Sequence, residues 1–211
     1  MNFHDCVAHL DQLGLLCSAT WDQATQPTDI GIRGITHHTS KVTGGGIFCC
    51  LPGIHHDGHD FAPEACRNGA AALLCEKPLL LEIPQLIVKD SRQAMAVLAA
   101  FIHGFPANSL KMIAVTGTNG KSTTTYLTRS ILAAAGLPTG LLGTIMYHDG
   151  RNEELADRTT PESDEVQEWL SKMVRNGCKA CVMEASSHGL ELVRLSGCLF
   201  DAVGFTNLTP E

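Results

Sequence analysis

The run IAVTGTNGKSTT, residues 113–124, constrains the fold of this chain more than any other segment. An apolar strand leads into a tight, glycine-bearing turn, and Lys121 and Ser122 then open a helix. The first N–H groups of a helix have no partner inside it and lie at the positive end of its dipole, so such a junction binds anions. The segment therefore predicts an α/β fold built around a phosphate-binding loop.

This loop is predicted to bind ATP through seven consecutive residues. They are Gly117, Thr118, Asn119, Gly120, Lys121, Ser122 and Thr123. Lys121 is predicted to be catalytic because its ammonium can reach the β- and γ-phosphates, and the Ser122 hydroxyl is a predicted ligand of Mg²⁺. Val115 stands where the common pattern GxxxxGK[ST] has its first glycine, so the loop is a variant. The alternative interpretation is a chance glycine-rich turn before a helix.

Strand and helix patterns alternate along both halves of the chain, which predicts sheets covered by helices. We predict a small α/β domain over residues 1–106. Over residues 107–211 we predict the truncated start of a P-loop domain with a doubly wound parallel sheet. The segment GFPANS, residues 104–109, breaks the pattern and is interpreted as an inter-domain linker.

The sequence also predicts individual strands and helices in the second half. A strand is expected over Thr139–Met146. The helix after the phosphate loop has Leu127, Ile131 and Leu132 on one face. A later helix is expected to have Thr160 as its N-cap and Pro161 as its first residue. Its apolar residues then recur at helical spacing, at Val166, Trp169, Leu170, Met173 and Val174.

Charge and hydropathy exclude several classes of partner. The formal net charge is -7, and the chain has no basic stripe of the kind that binds nucleic acid. The N-terminus, MNFHDCVAHLDQLGLL, has no basic region and indicates an amphipathic helix rather than a signal peptide. No run approaches the ~18–20 apolar residues that a membrane span needs. We therefore predict a cytoplasmic protein without nucleic-acid or membrane partners.

The cysteines indicate small buried side chains. There are nine, and thiols stay reduced in the cytosol. Cys178 and Cys181 form a C-x-x-C that opens an apolar strand, and the sequence has no second C-x-x-C to complete a zinc site. The pair is interpreted as structural, with a redox or metal site as the alternative.

Several segments together carry a resemblance to one family. The loop GTNGKST resembles the ATP loop of the Mur ligases and of the related folylpolyglutamate synthases. Three later segments are similar, in order and spacing, to the Mur ligase that adds the third residue of the peptidoglycan stem peptide: TTPES (159–163), MEASSHGL (183–190) and FTNLTPE (205–211). The first half resembles the nucleotide-sugar domain of that enzyme through GIFCCLPG (46–53), DGHDF (57–61) and NGAAA (68–72). The resemblance covers essentially the whole chain.

The resemblance implies an ATP-dependent amide ligase. A γ-phosphoryl group would pass to the D-glutamate carboxylate of UDP-MurNAc-L-Ala-D-Glu, and the amine of meso-diaminopimelate or lysine would attack the acyl phosphate. Positioning and charge neutralisation carry such a phosphoryl transfer. The implied partners are therefore the UDP-MurNAc-dipeptide and a diamino acid, with ATP and Mg²⁺ as cofactors. The pattern leaves the oligomeric state open.

The resemblance also assigns residues. Glu184 would be catalytic and would ligate Mg²⁺ together with Ser122; the alternative is a solvated carboxylate at a strand end. The residues that would bind substrate are Thr39, Thr159, Thr160, Ser186 and Arg194. Thr160 could instead act only as an N-cap, and Arg194 as an exposed helix arginine. His188 matches by position and is interpreted as structural rather than catalytic.

Five histidines invite a metal-site interpretation: His37, His38, His55, His56 and His59. Asp57 and Gly58 indicate a turn between His55 and His59, so loops lining the uridine pocket explain these residues more simply.

The sequence also departs from the family pattern. Relatives have D-S-R where this chain has His38, Thr39 and Ser40, and only the central hydroxyl is kept. The chain ends at Glu211, before the family's metal-binding His, its carbamylated lysine and its C-terminal domain. We therefore expect less than half a ligase, inactive by itself and prone to aggregate at an unpaired sheet edge. The alternatives are a truncated, non-catalytic nucleotide- or UDP-sugar-binding module, and a ligase like the folylpolyglutamate synthases.

Overall fold

A computed structural model describes residues 1–22, 25–53 and 56–209. The chain forms two compact units, Met1–Ile102 and His103–Glu211. This boundary precedes the predicted one at residue 106, and GFPANS belongs to the second unit rather than to a linker. Pro106–Ser109 forms a 3₁₀ helix there, with Ala107 in the core of that unit.

The first unit contains a five-stranded sheet with helices on it. The strand order is β1-β5-β4-β3-β2, in which β2 to β5 are parallel and β1 runs antiparallel to β5. The strands are β1 (Leu16–Thr20), β2 (Gly34–Thr36), β3 (Gly46–Cys49), β4 (Ala72–Cys75) and β5 (Gln85–Val88). The helices are α1 (Phe3–Gln12), α2 (Ala62–Arg67) and α3 (Ser91–Ile102). In this half the sequence pattern predicts strands over residues 30–36, 47–51, 70–75 and 85–88, which correspond to β2 to β5. Strand β1 is not predicted, and its residues are exposed or half-buried.

Alternation along the central strands builds two cores, one on each face of this sheet. Ile47 and Leu74 pack into one cluster, whereas their chain neighbours Phe48 and Leu73 pack into the other. All four residues are buried, as expected for parallel strands that are covered on both sides.

The second unit contains a six-stranded sheet in the order β11-β6-β10-β7-β8-β9. Its first four members are parallel, and β8 and β9 extend it as antiparallel hairpins. The strands are β6 (Lys111–Thr116), β7 (Thr139–Leu142), β8 (Met146–His148), β9 (Glu153–Leu155), β10 (Ala180–Glu184) and β11 (Ala202–Phe205). The helices are α4 (Lys121–Ala134), α5 (Ser163–Arg175) and α6 (Ser187–Glu191). The strand predicted over 139–146 is therefore wrong in its second half, where the chain turns at Gly143 and pairs back on itself.

The two long helices of this unit differ in burial. Helix α5 packs its apolar stripe into the core, as predicted. On α4, by contrast, Leu127 and Ile131 are 59% and 68% exposed, and Thr125 is the buried residue. The apolar face read from the α4 sequence is thus not the face on which this helix packs.

Helix α5 also starts later than the sequence predicts. Its N-cap is Glu162 and its first residue is Ser163, rather than Thr160 and Pro161. Thr160 is not available as a cap because its hydroxyl is hydrogen-bonded to the end of β10.

All nine cysteines are free thiols. Cys178 and Cys181 are both buried, and burial raises the pKa of each thiol. A raised pKa keeps a thiol protonated and unreactive, which agrees with the structural interpretation. Among the described residues no helix has the length and apolar character to cross a membrane.

His59 is a structural residue of the first unit. It is 6% exposed, its Nδ1 faces the Asp57 carboxylate, and its Nε2 accepts the Glu76 N–H at 3.0 Å. Both ring nitrogens are therefore engaged, with the proton on Nδ1. Hydrogen bonds from the backbone and ring of His59 and from Lys77 hold the pKa of Asp57 below its usual range. His55, which shared the metal-site hypothesis, lies outside the described residues.

Replacing His59 by Phe is expected to destabilise the first unit by about 1–3 kcal/mol, because the Glu76 N–H and the Asp57 carboxylate both lose a hydrogen-bond partner on a buried ring. Urea unfolding measures the change. Lys77→Met removes an exposed ion pair of the same Asp57 and is expected to leave the free energy of unfolding nearly unchanged. Equal losses in the two variants would contradict a special role for His59.

Candidate functional site

The carboxyl ends of the parallel strands in the second unit surround a cleft of about 700 Å³. Strand β6 lies between β10 and β11, so the phosphate loop is flanked by chain on both sides. Strand register fixes these neighbours, because Glu184 is paired with Val115 and Phe205 with Thr116. Ligands of parallel α/β sheets bind at this end of the strands.

The cleft brings together most of the residues that the sequence predicted for it. All seven residues of the phosphate loop line it, as do Thr159, Glu184 and Ser186. Thr160 and Arg194 do not line it, and Thr39 lies in the first unit. Thr144, which sequence reasoning did not single out, is part of the lining.

The phosphate loop has a backbone that only glycine adopts easily. Gly117 and Gly120 have φ angles of 128° and 84°. A Cβ on Gly117 would also lie 2.8 Å from the Asn207 carbonyl oxygen. Val115, in contrast, is a buried residue of β6, so the first glycine of the common pattern corresponds here to a strand position. The variant therefore keeps glycine at the two positions where this loop needs it.

The start of α4 is open to an anion. Its N-cap is Gly120, which contributes no side-chain hydrogen bond to the first turn. Lys121 folds back over the loop, and its Nζ donates to the carbonyls of Gly117 at 2.7 Å and Thr118 at 3.1 Å. The junction thus combines a lysine ammonium with the positive end of a helix dipole.

The segment after β11 braces this loop from the side. The Asn207 side chain accepts the Asn119 N–H and donates to the Asn119 carbonyl, each at 3.0 Å. Thr206 Oγ1 donates to the same carbonyl at 2.7 Å, and the Asn207 carbonyl accepts the Thr118 N–H at 3.0 Å. Sequence reasoning missed this role, although the position of Thr206 and Asn207 directly after a strand was a signal for it.

Glu184 is the last residue of β10 and is 1% exposed, which excludes a solvated carboxylate. Its Oε1 accepts the Thr144 N–H at 3.0 Å, and its Oε2 lies 3.0 Å from Thr144 Oγ1. Gly143 leaves room for this carboxylate, since a Cβ there would collide with Oε1. A buried carboxylate at the edge of a cleft is a candidate ligand for a hard cation.

Thr160 and Ser186 are hydrogen-bonded to each other, and only one of them is accessible from the cleft. Thr160 is buried; its Oγ1 donates to the Glu184 carbonyl at 2.9 Å and accepts the Ser186 N–H at 3.0 Å. Ser186 caps α6 by accepting the Gly189 N–H at 3.0 Å. Thr160 therefore holds the chain at the end of β10, and Ser186 alone of the two faces the cleft.

Arg194 is buried and paired. It is 8% exposed; its Nη2 lies 2.7 Å from Glu162 Oε1, and its Nη1 donates to the Thr160 carbonyl at 3.0 Å. Arg158 contacts the same Glu162 oxygen at 3.2 Å. The exposed-arginine alternative is thus wrong. Among the described residues the buried Nε of Arg194 has no hydrogen-bond partner.

Two further predicted residues, Thr39 and His188, make few contacts with other side chains. Thr39 opens a 3₁₀ helix, and its carbonyl accepts from Asn68 Nδ2 at 2.9 Å. The side chain of His188 is 62% exposed and lies 3.8 Å from Glu191. His188 is therefore not a core residue.

Comparisons with known proteins agree with this architecture. Residues 115–211 match the family described as the Mur ligase middle domain, and residues 31–103 match the one described as Mur ligase family, catalytic domain. A protein from Halalkalibacterium halodurans, named UDP-N-acetylmuramoyl-L-alanyl-D-glutamate–2,6-diaminopimelate ligase, is 43% identical over 85% of this chain and 37% of its own length. The protein of the same name from Geobacillus kaustophilus is 46% identical over 81% of this chain and 35% of its own length. The chain thus spans little more than a third of these curated relatives.

Solved structures show the same fold. A structure titled UDP-N-acetylmuramoyl-L-alanyl-D-glutamate–2,6-diaminopimelate ligase matches 100% of this chain and 41% of its own chain, with a TM-score of 0.78 and 25% identity. MurF from Acinetobacter baumannii matches 74% of this chain and 31% of its own, with a TM-score of 0.55 and 29% identity. The predicted α/β class is confirmed.

Asn207→Asp is expected to weaken binding of ADP by about tenfold, because the carboxylate loses the donor to the Asn119 carbonyl and repels that oxygen. Titration calorimetry measures the affinity. The matched control is Asn108→Asp, which adds the same charge at the other end of β6. Unchanged affinity in Asn207→Asp would show that the brace is dispensable.

Arg194→Met is expected to lower the free energy of unfolding of the second unit by about 3 kcal/mol, because Glu162 loses its closer partner in a buried ion pair. Adding Glu162→Gln should recover much of this loss. Urea unfolding measures both, and Lys172→Met, which breaks a surface pair with Glu168, is the control. If Arg194→Met left stability unchanged, the pair would have no structural value.

Proposed function

This chain belongs to the Mur ligase family, and from that premise we propose that it forms the nucleotide-sugar-binding and ATP-binding parts of a peptidoglycan precursor ligase. The proposed reaction joins 2,6-diaminopimelate to UDP-MurNAc-L-Ala-D-Glu at the expense of ATP. The names of relatives at 43% and 46% identity support this substrate set, over the third of their length that the chain spans. They favour diaminopimelate over lysine, and a muramoyl ligase over a folate ligase.

One observation carries the proposal. A buried carboxylate, Glu184, lies in the same cleft as a complete glycine-lysine-serine phosphate loop. A polyphosphate fits the open first turn of α4 and the ammonium of Lys121. Mg²⁺ fits the hydroxyl of Ser122 and the carboxylate of Glu184, both hard oxygen donors that line the cleft. When bound, the cation would neutralise charge on the phosphates.

The remaining residues would orient the acceptor substrate. Thr159 and Ser186 line the cleft beside Glu184 and are proposed to contact the peptide portion. Arg194, which does not line the cleft, is proposed to serve the same substrate indirectly, because its Nη1 donates to the Thr160 carbonyl and so holds the segment that carries Thr159. Thr39, in the first unit, is proposed to contact the nucleotide-sugar. Lys121 would exchange its two loop carbonyls for phosphate oxygens.

We also place the protein in the cytoplasm, where ATP is available. We attribute the ligase reaction to the whole enzyme to which these residues contribute, and not to these residues alone. Binding of nucleotide can be tested on these 211 residues.

Lys121→Ala is expected to weaken binding of ATP with Mg²⁺ by at least about tenfold, because each phosphate contact of the ammonium is charge-assisted. Titration calorimetry of the 211-residue chain measures the affinity. Lys179→Ala, an exposed lysine before β10, is the charge-matched control. Equal binding by Lys121→Ala and the control would refute the assignment of the loop.

The ligase reaction is tested by ADP release in the natural gene product that carries this sequence. The assay contains ATP, Mg²⁺, UDP-MurNAc-L-Ala-D-Glu and either diaminopimelate or lysine. We expect release that requires the dipeptide substrate and is faster with diaminopimelate. Nucleotide binding without any ADP release would instead favour a non-catalytic binding module.

A further inference from the structure

We infer that Thr144 is a positioning residue for Glu184: it holds both carboxylate oxygens and thereby orients the group that faces a bound cation. The inference rests on the proposed function, because the cation in question is the one that accompanies ATP. It concerns a residue outside the phosphate loop and outside all segments that carried the family resemblance.

Two donors of one residue serve the two oxygens of Glu184. The Thr144 N–H is 3.0 Å from Oε1, and the Thr144 hydroxyl oxygen is 3.0 Å from Oε2. A carboxylate held at both oxygens cannot rotate about its last torsion without losing a charge-assisted hydrogen bond. An ionised carboxylate has about four lone-pair sites, so each oxygen keeps one for a ligand in the cleft.

The hydroxyl of Thr144 faces two acceptors. Its Oγ1 lies 3.0 Å from Glu184 Oε2 and 3.1 Å from Thr159 Oγ1, and it is the donor in both geometries. A hydroxyl has one proton, and a hydrogen bond to a carboxylate is stronger than one to a neutral hydroxyl, so the bond to Glu184 is the one that orients the carboxylate. Thr159 lies beside this pair and lines the same cleft.

The backbone around Thr144 confines the carboxylate further. Gly143 precedes it, and a Cβ at Gly143 would meet Glu184 Oε1 at 2.5 Å and Cδ at 3.3 Å. The Gly143 N–H donates to the Met146 carbonyl at 3.3 Å, within the turn between β7 and β8. The turn therefore places Thr144 next to Glu184, the last residue of β10.

Substitutions of Thr144 can distinguish its hydrogen bond to Glu184 from the packing of its side chain. Thr144→Val keeps the branched shape and the N–H but removes the hydroxyl, whereas Thr144→Ser restores it. The measured quantity is the ratio of affinities for a non-hydrolysable ATP analogue with Mg²⁺ and with EDTA, obtained by calorimetry on the 211-residue chain. Thr128→Val, on α4, is the matched control for the same chemical change.

We expect Thr144→Val to reduce the Mg²⁺-dependent ratio by about tenfold, the effect of one hydrogen bond to a charged group. Its affinity in EDTA should stay close to that of the wild type, and Thr144→Ser should keep the wild-type ratio. A thermal unfolding curve verifies folding, and Thr144→Ala replaces the valine variant if the latter does not fold.

The outcomes are distinct. An unchanged Mg²⁺-dependent ratio in Thr144→Val, with normal binding by the wild type, overturns the inference and leaves the proposed function standing. Equal losses with Mg²⁺ and with EDTA also overturn it, since they indicate a general distortion of the cleft. Absence of Mg²⁺-dependent binding in the wild type overturns both.

Discussion

The phosphate loop depends on hydrogen bonds from outside itself. Peptide N–H groups that bind an anion are not available for hydrogen bonds within the loop, so groups on other segments must hold the loop in its shape. Here the hydrogen bonds to the loop come from the segment after β11, where Thr206 and Asn207 bind the backbone of Asn119. The other neighbour, β10, holds the strand before the loop, with Glu184 paired to Val115. Parallel register is what delivers both neighbours to the same end of the sheet.

The features that sequence predicted well are those in which local pattern and tertiary structure agree. The phosphate loop is local, because its glycines, lysine and helix start are consecutive residues. The buried strands β3, β4 and β5 could be found because nearly every residue in them is apolar. Residues of the cleft could be anticipated only as strand ends, since the sequence does not state which strands are neighbours.

The misjudged residues are those whose surroundings come from distant segments. Thr160 has the sequence of a helix cap, yet its hydroxyl finds the end of β10, 24 positions away. Arg194 reads as a surface residue because its partner Glu162 is 32 positions earlier (194 − 162), and only the fold brings them together. Leu127 and Ile131 have the spacing of a buried stripe, but α4 packs through a different face. Propensity and periodicity carry no information about such pairings.

The brace on the phosphate loop has a consequence for how this unit folds. The hydrogen bonds of Thr206 and Asn207 with Asn119 span 87–88 residues of sequence, so the loop reaches its final shape only after β11 has docked beside β6. Contacts of such long range form late and slowly, because the chain between them must first be ordered. A nucleotide that selects the finished loop would in turn stabilise β11, the last strand of the described residues, by mass action. Nucleotide binding at the end of β6 would thus reduce the local unfolding of β11.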